Sequence, residues 1–293
     1  MIIWLASYPK SGNTWVRTII NQIIFDDVKS KNEVFDNLSR IKRYPSKADI
    51  IGLPQISKTG SPTKEEQKQV IDFTVKNWEN SQNNINKNNK INILKTHNML
   101  CNINLDGQDY PFANIKNSLG VIHIVRDPRN IVTSAKNHFS IETEEESVEM
   151  LSDKYNWTGF TNNEIPQLLS SWGNHYNSWK KFPKNYLLIK YEDLVSDIKK
   201  EILRIKEYLS NHFECKISET KVIEIEKNTS FKNFKELESN GKFNENSINE
   251  VTGDRKTFFN LGPKNNWKII LKKENSNKIE KMFFNEMKEL GYL

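Results

Sequence analysis

Cysteine is scarce in this chain: two residues among 293, Cys101 and Cys215, far apart and in no metal-type spacing. That excludes a disulfide framework or a cysteine-based metal centre and favours a reducing compartment. Long apolar runs are missing too. Nothing approaches the roughly 20 residues of a membrane span, so no membrane partner is expected. Ile2–Ala6 is too short for a signal-peptide core, and the first strand starts at about the second residue. A soluble, cytoplasmic protein is therefore expected. Lys and Arg exceed Asp and Glu by 43 to 37, giving a net charge of +6. Yet no dense basic stripe is present. The excess favours anionic ligands, and no nucleic-acid partner is expected. Apolar residues make up only 36% of the chain, but they are periodic and aromatics are plentiful, so order rather than disorder is expected. There is no internal repeat and no convincing linker; residues 1–293 read as one domain.

What is present alternates. Ile2–Ser7, Ile91–Thr96, Leu119–Val125 and Tyr186–Tyr191 read as buried strands. Helical patterns lie between them. Thr63 with Glu66 forms a capping box ahead of Ile71, Val75 and Trp78. Asp127-Pro128 opens another helix. Ile165, Leu168, Leu169, Trp172, Tyr176 and Trp179 follow helical spacing, and Asp197 caps a helix carrying Ile198, Ile202, Ile205 and Leu209. Ile279, Met282, Phe283, Met287 and Leu290 form a last stripe. The Asn/Lys-rich stretch 80–92 reads as a solvated loop. This order predicts an α/β fold, a mostly parallel central sheet with helices on both faces. Ligands of such sheets bind beyond the carboxyl ends of the strands. Lys10, His97, Arg126 and Tyr191 each follow a predicted strand.

The segment from Ile2 to Trp15 reads as strand, tight loop and helix. Open amides and the positive end of a helix dipole make such a loop an anion site. Lys10 adds a cation, and Ser11 and Thr14 add hydroxyl donors. The order is not that of an ATP loop, because Lys10 precedes the only glycine, Gly12, and Leu5 stands where the first glycine would fall. The second motif, Arg126-Asp127-Pro128-Arg129-Asn130 through Ser134, places a guanidinium at a strand end, where it can grip phosphate bidentately. Lys95-Thr96-His97 follows another strand. A histidine there can take a proton near neutral pH or serve as a hydrogen-bonded core residue.

Tyr8-Pro9-Lys10-Ser11-Gly12-Asn13-Thr14-Trp15 resembles the 5′-phosphosulfate loop of cytosolic-type sulfotransferases, which use 3′-phosphoadenosine 5′-phosphosulfate (PAPS). The stretch Arg126–Ser134 is similar to that family's 3′-phosphate motif, Lys95–His97 to its K-T-H, Tyr191-Glu192-Asp193 to its Y-E-D, and Thr229-Ser230-Phe231 to its T-S-F. The motifs run in family order from residue 2 to the C-terminus. The resemblance implies a P-loop-like donor site in which Lys10, Ser11, Gly12, Asn13 and Thr14 hold the phosphosulfate. It implies that Arg126 and Ser134 take the 3′-phosphate, while Trp15, Tyr191, Thr229, Ser230 and Phe231 face the adenine. It further implies that His97 is the general base, with Lys10 on the leaving phosphate and Lys95 stabilising charge nearby. The co-substrate would be PAPS and the product PAP, with no metal.

The family's C-terminal R-K-G-x-x-G-D-W appears here as Asn260-Leu261-Gly262-Pro263-Lys264-Asn265-Asn266-Trp267. Gly262 and Trp267 keep their places; the Arg-Lys pair does not. Arg255, Lys256 or Lys264 is expected to stand in for it. A kinase would need a Walker-type order and an acidic Mg²⁺ ligand at a strand end, and both are missing. The acceptor is expected to be a small molecule, with its pocket built from segments 26–62, 139–164 and 236–262. The family's dimerisation motif K-x-x-x-T-V-x-x-x-E is not found near the C-terminus, and the oligomeric state stays open.

Overall fold

The computed structural model describes residues 1–25, 30–57, 61–139, 141–161, 164–246 and 255–293. Of the segments expected to build the acceptor pocket, 26–29, 58–60, 140, 162–163 and 247–254 lie outside the described residues.

The fold is mixed α/β around a central parallel sheet of five strands. The strands are β1 (Ile2–Ser7), β2 (Lys42–Arg43), β3 (Asn92–Thr96), β4 (Ser118–Val125) and β5 (Asn185–Lys190), in the order β2-β3-β1-β4-β5. β1 pairs parallel with β3 from Ile2 opposite Asn92 to Ala6 opposite Thr96. On the other edge of β3, Arg43 stands opposite Lys95. Every residue of β1 is buried, which explains why its sequence is a continuous apolar run rather than an alternating one.

The chain divides into two compact units. The first comprises residues 1–8, 42–123 and 152–188 and holds most of the sheet. Its core gathers Trp4, Tyr44, Trp78, Phe112 and Trp179. The indole nitrogen of Trp4 donates to Ser118 Oγ at 2.9 Å, and Gln82 Nε2 donates to the Phe112 carbonyl at 2.7 Å, so these two buried donors are paired. The second unit comprises residues 9–41, 124–151 and 189–293. Its aromatic core joins Phe35, Phe234, Phe243 and Phe259, with Trp15, Phe231 and Phe258 packed against it.

Most predicted elements form within a residue or two of their expected ends. Helix α1 (Asn13–Ile24) follows the glycine of the anion loop. The Thr63/Glu66 capping box opens α2 (Lys64–Lys76). The stretch expected as a solvated loop instead begins inside α3 (Trp78–Asn86), which buries Trp78, Ser81 and Gln82. Its polar composition is used for internal hydrogen bonds. Pro128 opens α4 (Pro128–Phe139), as expected. The helix expected from Ile165 starts only at Trp172, where Ser171 accepts from the Asn174 amide. Ahead of it, Gln167–Leu168 pairs as a short strand with Trp157–Thr158, and Ser170 sits at φ 56. The helical spacing of Ile165, Leu168 and Leu169 is coincidental. Near the C-terminus the expected single stripe is two helices, Lys273–Met282 and Phe284–Leu290. Met282 lies 39% exposed, outside the buried face formed by Ile279, Phe283, Met287 and Leu290. Among the described residues, no helix is long and apolar enough to cross a membrane.

Candidate active site

The anion loop opens the second unit. Lys10 (φ 66) and Gly12 (φ 103) both adopt left-handed backbone conformations, which turn the chain from β1 into α1. Gly12 is required twice over: at that φ a side chain is strained, and a Cβ would lie 2.8 Å from Tyr191 Cδ2. Gly12, at the N-cap of α1, has no side chain to cap it, and no acidic residue stands in the helix's first turn. Ser11 is fully buried, yet its hydroxyl has no hydrogen-bond partner among the described residues. A buried, unsatisfied donor beside a helix N-terminus fits an oxyanion.

Arg126, at the end of β4 and buried, points the same way. Its Nη1 donates to the Lys10 carbonyl at 3.0 Å, its guanidinium lies 4.0 Å from the centre of the Tyr191 ring, and its buried Nε has no partner among the described residues. Tyr191 meets Trp15 edge-on at 5.6 Å. Loop, guanidinium and aromatic pair thus form one cluster. The Lys10 ammonium lies 3.8 Å from the centre of the Phe258 ring. Burial, reinforced by Arg126 and opposed by Glu238, pulls its pKa down to about 7.

The remaining residues expected on the donor side are less uniform. Ser134 is half-buried on α4. The Thr229 hydroxyl donates back to the Ile225 carbonyl at 2.8 Å, and Ser230 caps helix Phe231–Ser239. Phe231 lies so close to Gly262 that a Cβ there would fall 2.2 Å from its ring. Of the expected substitutes for the Arg-Lys pair, Arg255 and Lys264 are exposed. Lys256 is half-buried and, with Lys136, Asn137, Thr133 and Asn260, lines a cavity of about 580 Å³.

Two features escape a reading of the sequence. Arg129, not Arg126, pairs with Asp127, at 2.7 Å, and also donates to Glu280 and to the Tyr292 carbonyl, both at 2.6 Å. Asn265, in the altered C-terminal motif, donates to the Asn130 carbonyl at 2.8 Å and accepts from Thr133 Oγ1 at 2.6 Å, while the Trp267 amide donates to Asn130 Oδ1 at 3.0 Å. The altered motif is therefore fastened to α4 by amide side chains. Only the Asn-rich spelling of the motif hinted at this.

His97 belongs to the first unit. Its amide donates to Gln167 Oε1 at 2.8 Å, its carbonyl accepts from His175, and its ring Nδ1 lies 2.7 Å from the Ser7 carbonyl and 3.2 Å from Ser7 Oγ. A carbonyl can only accept, so Nδ1 carries the proton and Nε2 presents the lone pair. Burial holds its pKa well below 6.5; Lys95 and Arg43 add to this and the Ser7 bond opposes it. Arg43 is itself ion-paired with Glu164.

Near the half-buried His97 lie two fully buried imidazoles. His123 meets the Tyr186 hydroxyl at 3.0 Å and lies well below its ordinary pKa, while burial pushes His175 down to about 3. Both are held neutral in the fold but take protons once unfolded. The unfolded state then binds more protons below pH 6.5, and stability falls with pH from there downward. Lowering the pH from 7.5 to 5.5 should therefore destabilise the fold, on the order of 1 kcal/mol for each of the two. Urea unfolding at the two pH values, repeated with His123→Gln, measures it. A pH-independent difference between wild type and the variant would show that His123 ionises within the fold.

Comparison with known proteins agrees with this geometry. Residues 2–291 match the model of the sulfotransferase domain. An amine sulfotransferase of Oryctolagus cuniculus is 22% identical over 98% of this chain and 81% of its own length. Sulfotransferase 1E1 of Homo sapiens is 26% identical over 97% of this chain and 83% of its own. Among solved structures, retinol dehydratase in complex with androsterone and inactive cofactor PAP superposes with a TM-score of 0.60 at 18% identity, covering 98% of this chain and 80% of that one. Mouse SULT7A1 complexed with PAP gives 0.57 at 19% identity, covering 98% and 84%. The chain belongs to the sulfotransferase domain family, transferases of the EC 2.8.2 class.

Proposed function

We propose that this chain, acting as one sulfotransferase domain over residues 1–293, moves the sulfuryl group of PAPS to a hydroxyl or amine of a small-molecule acceptor and releases PAP. The observation that carries the reading is the unsatisfied Ser11 hydroxyl beside the uncapped start of α1, with Lys10 and Arg126 in the same cluster. Lys10, Ser11, Gly12, Asn13 and Thr14 hold the 5′-phosphosulfate. Arg126 and Ser134 hold the 3′-phosphate, with Lys256 and Lys136 supplying the charge that the missing Arg-Lys pair would bring. Trp15, Tyr191, Thr229, Ser230, Phe231 and Gly262 form the adenine side.

The donor supplies an activated sulfuryl group whose bond to the phosphate oxygen breaks as the acceptor oxygen attacks sulfur. His97 Nε2 takes the acceptor proton. Lys10 neutralises charge on the leaving phosphate, and Lys95 stabilises charge near the base. Positioning and electrostatics carry most of such a transfer. The two free cysteines, Cys101 and Cys215, support a cytoplasmic setting.

Thermal shifts with PAP, PAPS and ATP test the donor. PAP should stabilise the fold and ATP much less, because two separated anionic groups are recognised. Arg126→Ala should weaken PAP binding by about 2–4 kcal/mol, as a desolvated phosphate loses its partner. Equal shifts with PAP and ATP would sink the donor reading.

A further inference from the structure

Phe258 is not part of any motif discussed above, yet its ring is where the Lys10 ammonium rests, 3.8 Å from the ring centre. The ring itself is fixed on several sides. Phe243 packs on it at 4.9 Å, Phe259 at 5.0 Å, and His138 meets it edge-on at 5.8 Å. Its backbone is held by Glu238 near the C-terminal end of helix Phe231–Ser239. The Phe258 amide donates to Glu238 Oε1 at 2.5 Å and the Phe259 amide to Oε2 at 3.0 Å, while Asn246 Nδ2 donates to Oε1 at 2.5 Å. One carboxylate thus takes three donors and sets the two phenylalanines. It also acts on Lys10 directly, opposing the burial and the Arg126 charge that destabilise the ammonium.

We propose that Phe258, set in place by Glu238, is the positioning residue for Lys10: its ring face holds the lysine's flexible stem in one place and keeps its ammonium charged. The physics is direct. A lysine has four rotatable carbons and a strongly hydrated head. In a desolvated site with a second cation nearby, it would otherwise turn away or lose its proton. An aromatic face attracts the cation, and more strongly where water is excluded. The inference rests on the reading of Lys10 as the residue facing the leaving phosphate.

The test compares Phe258→Leu, which removes the ring face but keeps an apolar side chain, with Phe258→Tyr, which keeps the face. Glu238→Gln probes the clamp. Lys10 is titrated in each ligand-free protein by acetic anhydride labelling across pH, read on the peptide that contains it, and kcat and donor KM are measured in parallel. Circular dichroism checks the fold. Phe258→Leu should move the Lys10 titration down by about half a pH unit or more. Its kcat should fall about 3–10-fold with donor KM changed less, and Phe258→Tyr should restore both. Glu238→Gln should shift the titration in the same direction. An unmoved titration in Phe258→Leu overturns the proposal, and so does a moved titration with unchanged kcat. If Lys10→Met itself keeps full turnover, the reading of Lys10 fails, while the labelling still decides whether Phe258 seats the ammonium.

Discussion

Replacing His97 by alanine is expected to slow sulfuryl transfer to an aliphatic alcohol by about 10²–10⁴-fold, the contribution of a positioned base, with PAP binding nearly unchanged. The expectation follows from how the ring is held. Ser7 fixes the tautomer through its carbonyl, leaving Nε2 as the basic atom, and Gln167 and His175 fix the main chain on either side. The partner is a neutral carbonyl rather than a carboxylate, and Lys95 and Arg43 add positive charge around the ring. The imidazolium is therefore disfavoured, and the ring stays neutral to below the ordinary pH 6.5. Activity should be lost only as pH falls through that lowered pKa, so the acid limb of kcat/KM for the acceptor should lie below 6.5. A pre-ionised phenolate needs no base and should be nearly insensitive to the substitution. Near-normal turnover of the alanine variant with an alcohol would make His97 a structural residue.

What could be read in the sequence was local. The buried run of β1, the Thr63/Glu66 box and the Asp197 cap each depend on residues within a turn of one another, and each forms as expected. The order of the anion loop and the Arg126 strand end are also local, and both converge on one cluster through the Arg126–Lys10 bond. What stayed hidden depends on distant partners. The two-residue strand Lys42–Arg43 has no pattern of its own and exists because β3 accepts it. Residues 80–86, the helical part of the stretch 80–92, looked solvated because their side-chain amides, Gln82 above all, are spent on partners thirty or more positions away. The His97 tautomer is set by a residue 90 positions earlier in the chain. Phe258 lies in the weakly patterned segment 236–262 and carries no motif; its contact with Lys10 is what distinguishes it.

Lys10→Met is the second large effect. Methionine keeps the length and apolar stem of lysine and removes only the charge. If that charge acts on the leaving phosphate, its value is greatest as the bond to sulfur breaks, so turnover should fall by about 10²–10³-fold while donor binding weakens less. The pH behaviour gives a second, independent sign. In the ligand-free chain the Lys10 ammonium titrates at about 7. The charged form is lost as pH rises through that value, and a bound phosphosulfate pulls the pKa back up. The wild-type kcat/KM for the donor should therefore decline above about pH 7, whereas kcat at saturating donor should hold to higher pH, since the second reports the bound state. In Lys10→Met the alkaline decline should vanish from kcat/KM, leaving a low rate that no longer falls above pH 7. Steady-state rates at several donor concentrations between pH 6 and 9 give both curves. A variant that loses donor affinity but keeps its turnover at saturation would make Lys10 a binding residue, and the leaving phosphate would need another cation.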